Sequence, residues 1–325
     1  MKVYHVLFIS LLMMSTEVSL FSQPVKEHGQ LWVDGTKLKD KHGNITVLRG
    51  MSYGWHNWWP RFYNEGTVKW FHEDWGCSLL RLAIGAEPDS GYIKQPEWSR
   101  ELLTKVVDAA IKEGIYVIID WHSHTVKLNE ATTFFTEMAH KYGKHPNVIY
   151  EIFNEPEKAS WPEIKAYSTE IIATIRKIDP VNIILVGTPR WDQEVNIAAD
   201  DPITGYKNIM YTLHFYAATH KQWLRDKADY AVKKGLPLFV SECSSMFANG
   251  NGKLDYPEMQ NWITWMEREQ VSWALWSVSD KYESCSILKP SAKSNGQWYE
   301  NDLKESGIYD RKLLRSYDLD KTTTH

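Results

Sequence analysis

The chain has 325 residues, long for an average domain but within the range of a single α/β barrel, and enough to bury a large core. Its net charge of -4 comes from 37 basic and 41 acidic side chains mixed along the whole length, which excludes a basic face for nucleic acid. The 16 Trp and 17 Tyr form a heavy aromatic load, suited both to a core and to the flat faces of sugars.

The chain opens like a secretory signal peptide. Lys2 supplies the positive end, Val3 to Met14 is mostly apolar, and that run is too short to span a bilayer with ease. A cut near Ser22 removes residues 1–22 and leaves a secreted, extracellular protein with no membrane partner. Asn44-Ile45-Thr46 is a glycosylation sequon, usable only in a eukaryotic host and on an exposed loop.

Short apolar runs then alternate with amphipathic ones. Strands are predicted at 47–51, 79–84, 116–120, 148–153, 183–186, 209–213, 238–241 and 273–276. Helices are predicted between them at 98–113, 131–142, 161–178, 220–234 and 256–269. Several strands lack polar alternation, as strands buried on both faces do. Gly114 and Gly235 fall where helices should stop. The order predicts an α/β fold, a single-domain (β/α)8 TIM barrel over residues 23–320, followed by an unstructured tail at 321–325. Cys77, Cys243 and Cys285 form an odd set; Cys243 and Cys285 are candidates for a bond, with buried free thiols as the alternative.

Chemistry in such a barrel sits at the C-terminal ends of its strands. Arg81 falls within the second strand, Trp121-His122 ends the third, and Asn154-Glu155 ends the fourth. His214-Phe215-Tyr216 ends the sixth, Glu242 the seventh and Trp276 the eighth. Glutamates on strands four and seven face each other across a barrel mouth, as acid/base work on a glycosidic bond requires. One must keep a proton for the leaving oxygen, and the other must stay ionised to attack the anomeric carbon. Arg81 beside Glu242 favours the ionised form there, which leaves Glu155 as the protonated partner. A spacing of roughly 5 Å means retention and roughly 6.5–9.5 Å inversion. The structural alternative for each glutamate is a salt-bridged strand cap.

His122 and His124 form an H-x-H that His214 would complete as a metal triad. Barrel amidohydrolases place that motif after strand one and add a lysine on strand four, where this chain has Asn154-Glu155. Neither a metal nor a cofactor is therefore expected. His122 and His214 read instead as hydrogen-bonding partners of the carboxylates or of sugar hydroxyls, and His124 as a loop residue. Trp276, Trp58 and Trp191 are the expected sugar platforms, among a crowd that includes Trp55 and Trp59. Lys281 and Glu283 are candidates for binding sugar hydroxyls, against a plain solvated loop.

These motifs carry a resemblance. Leu48-Arg49-Gly50-Met51-Ser52, Asp120-Trp121-His122 and Ile152-Phe153-Asn154-Glu155-Pro156 are similar to those of the secreted endo-β-1,4-glucanases (cellulases) of glycoside hydrolase family 5. His214-Phe215-Tyr216-Ala217, Phe239-Val240-Ser241-Glu242 and Trp273-Ala274-Leu275-Trp276-Ser277 follow in the same order, and the chain resembles the branch shared by bacteria and plant-feeding invertebrates. The resemblance implies a retaining enzyme without metal, with Glu155 as acid/base and Glu242 as nucleophile. It implies that Arg81 and Tyr216 hold the nucleophile, that Asn154 contacts the sugar 2-hydroxyl, and that His122 and His214 support them. Cys243 stands where the family usually has an aromatic after the nucleophile, and Gly85 where many bacterial members carry one. The expected partner is amorphous or soluble β-1,4-glucan, or cello-oligosaccharide, acted on by a monomer. The alternatives are a mannanase, xylanase or xyloglucanase with the same mechanism, a metal-dependent hydrolase, or a catalytically silent sugar-binding barrel.

Overall fold

The computed structural model describes residues 23–322. The predicted signal segment, 1–22, and residues 323–325 of the predicted tail lie outside the described residues. A short helix α1 (Pro24–His28) and an antiparallel hairpin, β1 (Trp32–Asp34) and β2 (Lys37–Lys39), precede the barrel. The barrel strands are β3 (Arg49–Tyr53), β4 (Leu79–Gly85), β5 (Tyr116–His122), β6 (Val148–Glu151), β7 (Ile184–Val186), β8 (Ile209–Tyr216), β9 (Leu238–Ser244) and β10 (Trp273–Val278). They pair in parallel, each with the next, and β10 closes on β3.

Helices α2 (Glu65–Glu73), α3 (Pro96–Glu113), α4 (Leu128–Tyr142) and α5 (Trp161–Arg176) fill the first four crossovers. Two short helices, α6 (Pro189–Asp192) and α7 (Val195–Asp200), take the fifth, α8 (Gln222–Lys233) and α9 (Tyr256–Glu269) the next two, and α10 (Glu305–Thr322) closes the chain. Their ends follow the sequence. Ser160 and Glu163 make a capping box on α5, and Gly114, at φ 73°, ends α3 in the left-handed turn a side chain would resist. Lys321 and Thr322, predicted as tail, continue α10.

The period of two along each strand stacks the barrel interior in layers. The lower layer is apolar, with Leu79, Ile118, Ile149, Leu185, Met210, Phe239 and Ala274 packed together. Leu31 and Leu38 of the hairpin region join this cluster, so the hairpin plugs the barrel floor. Two residues further along, the inward positions turn charged: Arg81, Asp120 and Glu151 are all fully buried. The site is thus a polar layer standing on an apolar one.

Strand ends explain where the sequence reading fell short. β8 and β9 run on to Tyr216 and Ser244, beyond the predicted stops at 213 and 241, because the polar residues there face other polar groups inside the barrel. β6 instead ends at Glu151; Ile152 and Phe153 stay buried, and Ile152 gives the last N–H to β7, bonded to Leu185 O at 3.0 Å. The three cysteines are buried and none is in a disulfide, so Cys243 and Cys285 are not bonded to each other. No helix among the described residues is long and apolar enough to cross a membrane.

Candidate active site

Arg81 is the hub of the charged layer. Its Nε donates to Glu151 Oε2 at 2.7 Å and its Nη1 to Glu242 Oε2 at 3.0 Å. Its Nη2 reaches Asn154 Oδ1 at 2.5 Å and lies 3.0 Å from Asp120 Oδ2. Burial works against the guanidinium charge, but Asp120, Glu151 and Glu242 together hold its pKa well above the usual value. Burial also opposes the Glu151 carboxylate, yet the Arg81 charge wins and pulls it down to about 2. An arginine fully enclosed by such partners is fixed in place.

Glu242 is gripped at both oxygens. Tyr216 Oη donates to Oε1 at 2.7 Å while Arg81 holds Oε2, and only 4% of the side chain is exposed. Glu155, at 14% exposure, faces it from the loop that follows β6. One carboxylate oxygen of each, with a ring nitrogen of His214, lie within 4.8 Å of one another. That is the only cluster of the kind among the described residues. The H-x-H does not build a metal triad with His214: His122 Nδ1 is bound to Asp120 Oδ2 at 2.6 Å, and His124 turns its Nδ1 toward Glu155.

His214 links the two glutamates' surroundings. Its Nδ1 lies 2.9 Å from Glu155 Oε1 and its Nε2 2.8 Å from Ser241 Oγ. Ser241 commits its own hydroxyl proton to Glu151 Oε1 at 2.7 Å, so His214 Nε2 must be the donor to Ser241. Burial disfavours a charged ring here, but Asp192 and the bonds to Glu151 and Glu155 hold His214 well above the usual histidine value. Glu155 is accordingly drawn down: burial raises it, and the His214 bond and charge outweigh that. Glu242 is pushed up by burial and by the charge of Glu155, against His214, Arg81 and Tyr216. These directions run opposite to the expectation from sequence, in which Glu155 itself keeps the proton. His214 Nδ1 and Glu155 Oε1 share one proton across a 2.9 Å bond, and the surrounding charges favour the His214 side.

The other predicted residues are placed unevenly. Asn154 is buried, its Oδ1 taken by Arg81, and its Nδ2 has no hydrogen-bond partner among the described residues. Trp276 is 8% exposed and stacks on His122 at 5.5 Å with planes 4° apart. Trp58 is 52% exposed and stacks on Trp55 at 4.7 Å. Trp191 borders a cavity of about 440 Å³ together with Glu155, Gln193, His214 and Tyr216. Lys281 and Glu283 bind each other at 2.5 Å, and Glu283 also accepts the Cys285 thiol. Glu283 also lines a separate hollow of about 310 Å³ with Asn251, Leu254 and Lys304.

Sequence reasoning missed Asp120, Glu151, Asp192 and Ser241. The signal for two of them was present: Asp120 and Glu151 each interrupt a strand otherwise apolar on both faces, and a lone buried acid requires a cation. His124, read as a loop residue, brings Nδ1 within 3.8 Å of Glu155 Oε2.

A parallel eight-stranded barrel whose mouth holds two facing carboxyl groups, one clamped by a guanidinium and a phenol, is the frame of the barrel hydrolases that act through a carboxyl pair. Residues 39–282 match the model of the cellulase family, glycosyl hydrolase family 5, and the chain belongs to that family. It is 44% identical over 294 residues to an endoglucanase of Clostridium saccharobutylicum, covering 88% of this chain and 65% of the relative. The chain thus spans about two thirds of that relative's length. A structure from Cytophaga hutchinsonii superposes with a TM-score of 0.91 at 42% identity, covering 94% of this chain and all of its own. The catalytic domain of the Thermobifida fusca endoglucanase, solved with cellotetraose, gives 0.85 at 33% identity, covering 90% of this chain and all of its own.

Proposed function

We propose that this protein is a retaining endo-β-1,4-glucanase that cleaves internal bonds of amorphous or soluble cellulose, with Glu155 as general acid/base and Glu242 as nucleophile. The observation that carries it is the approach of a Glu155 oxygen and a Glu242 oxygen to within 4.8 Å. Retaining pairs sit about 5–5.5 Å apart, and the room for a water that inversion needs begins at roughly 6.5 Å. The endoglucanase relatives and the cellotetraose complex of a neighbour support the choice of glucan.

The geometry supports a sequence of steps. Tyr216 and Arg81 fix the carboxylate of Glu242, which forms a bond to the anomeric carbon as the glycosidic C–O bond breaks. Glu155 passes its proton to the departing oxygen, having received it from His214 Nδ1 across their hydrogen bond. That transfer removes the Glu155 charge, which raises Glu242 by more than the His214 charge lost with it lowers it, and so favours ionised Glu242 when it must attack. Glu155, now a base, takes a proton from water, whose oxygen displaces Glu242 and releases the sugar with its configuration retained. Arg81 turns the Asn154 amide so that its unpartnered Nδ2 serves the sugar 2-hydroxyl. Trp191, Trp58 and Trp276 provide ring surface for neighbouring sugars.

Export through residues 1–22, action outside the cell and a monomeric state belong to the same reading. Release of reducing ends from carboxymethylcellulose, compared with glucomannan and xylan, tests the substrate. Glu155→Gln and Glu242→Gln are each expected to abolish turnover while sparing binding. No release from carboxymethylcellulose, or an unchanged rate in either variant, overturns the proposal.

A further inference from the structure

The turn after β7 carries a feature the reaction above does not use. Arg190, Trp191 and Asp192 all adopt positive φ, at 55°, 55° and 61°. Side chains resist that region, and consecutive non-glycine residues in it are costly, so the surrounding structure must hold them there. The turn has two results. It sets Trp191 at the edge of the cavity that contains Glu155, and it drives the Asp192 carboxylate into the protein beneath His214.

Asp192 is fully buried. Its Oδ1 accepts the backbone N–H of Thr188 at 2.5 Å. Its Oδ2 lies 3.3 Å from His214 Nε2 but has no aligned hydrogen bond among the described residues. The Nε2 proton points instead at Ser241 Oγ. Asp192 therefore meets His214 as a charge and not as a hydrogen-bond acceptor. We infer that Asp192 is a positioning residue, whose buried carboxylate fixes the proton shared by His214 and Glu155 and thereby sets the alkaline limit of acid catalysis. The inference rests on Glu155 being the acid/base.

Other groups act on the same ring. The carboxyls facing His214 are Glu151, 3.6 Å from Nε2, Glu155 on Nδ1, Glu242 from β9 and Asp120 from β5. The basic side is His122 from β5 and His220 just after β8, both kept neutral by burial, with the Arg81 charge also felt at Glu155. Glu151 is already neutralised by its paired bond to Arg81, and Glu242 is shared between Arg81 and Tyr216. Asp192 has no arginine or lysine ion pair among the described residues. Burial and the charges of Glu155 and Glu151 push its carboxyl well above the usual range, while the His214 charge 3.3 Å away and the Thr188 N–H pull the other way, so Asp192 and His214 hold their charges only as a pair.

An anion on the Nε2 side favours the state in which the His214–Glu155 pair holds its proton. Losing that proton disarms the acid, which defines the alkaline limb of kcat/KM. Asp192→Asn removes the charge, keeps the oxygen that binds Thr188, and suits a left-handed position. Its alkaline limb on cellopentaose is expected to move to lower pH by about 1 unit or more. On dinitrophenyl cellobioside, whose leaving group departs without a proton, the same variant is expected to show no such shift. An unmoved limb on cellopentaose, or equal shifts on both substrates, overturns the inference. Should the variant fail to fold, nitrogen NMR of the unaltered protein decides: His214 protonated on both nitrogens at neutral pH supports the inference, and a singly protonated ring overturns it. Glu155→Gln on the same two substrates separates this from the underlying reading. Loss of kcat/KM on cellopentaose with kcat/KM kept on the aryl glycoside, a ratio that ends at glycosylation and does not report the later base step, upholds Glu155 as the acid, whatever Asp192 does. Equal loss on both refutes that role, and the inference with it.

Discussion

Arg81 holds Glu151 more closely than it holds Glu242: Nε to Oε2 is 2.7 Å in the first pair, and Nη1 to Oε2 is 3.0 Å in the second. Nη2 adds a second bond to Glu151 at 3.2 Å, so the guanidinium is forked onto a carboxylate that never meets substrate. Glu151 therefore sets the plane of Arg81, and the plane of Arg81 sets the Nη1 and Nη2 donors that reach Glu242 and Asn154. The catalytic grip is the free side of a structural ion pair.

Glu151→Gln removes the charge that compensates Arg81 at its shortest carboxylate bond. Breaking one partner of a fully buried pair costs about 3–5 kcal/mol, since the other charge is left in a low-dielectric site. The variant is expected to lose that much in urea unfolding, and to lose activity as Arg81 reorients. A stability change within about 0.5 kcal/mol, the range of a neutral surface change, refutes the role given to Glu151.

The same pair gives the protein an acid edge. Glu151 sits at about 2 in the fold, down from 4.5, through the charge of Arg81 acting against burial. A folded value below the unfolded one means that the fold binds the proton less readily. The stabilisation is thus complete above pH 4.5 and drains away as pH falls toward 2. Melting temperature is expected to drop across that window in the unaltered protein, and less steeply in Glu151→Gln. Parallel slopes in the two proteins count against this assignment.

Tyr216→Phe deletes the 2.7 Å donor to Glu242 Oε1 and leaves Arg81 on Oε2. A hydrogen bond to a charged group contributes about 1.5–3 kcal/mol, which is roughly 10- to 150-fold in rate. The loss is expected in kcat/KM. Because the donor stabilises ionised Glu242, the acid limb should also move to higher pH. A variant with the original rate and pH profile removes Tyr216 from the mechanism.

Much of this was legible in the sequence because the barrel repeats one rule. Buried strands without polar alternation, broken by a polar group near the C-terminal end, gave the strand count, the order and both glutamates. What stayed hidden depended on depth within the barrel. Asp120 and Glu151 sit inside strands, where a charge looks like an exception until Arg81 is seen to gather three of them. Asp192 was hidden for another reason, since its role depends on three successive positive φ angles that no residue type there announces. The proton on His214 Nε2 could not be read either, because it depends on Ser241 having spent its hydroxyl on Glu151.

The sugar platforms can be ranked by where their rings stand. Trp191 is 43% exposed and borders the same cavity as Glu155, whereas Trp276 is 8% exposed and packed on His122. Removing Trp191 takes away contact surface for a sugar without touching a charged group. Trp191→Ala should therefore raise KM and leave kcat near its original value, the pattern of lost uniform binding. The size expected is about 1–2 kcal/mol, or roughly 5- to 30-fold in KM. Trp276→Ala should behave differently, because Trp276 is the surface on which His122 stacks and His122 in turn is bound to Asp120. Its loss is expected to lower kcat and stability together. Steady-state kinetics and melting curves on the two variants check this, and a fall in kcat for Trp191→Ala with KM unchanged contradicts the placement of its ring as a binding surface.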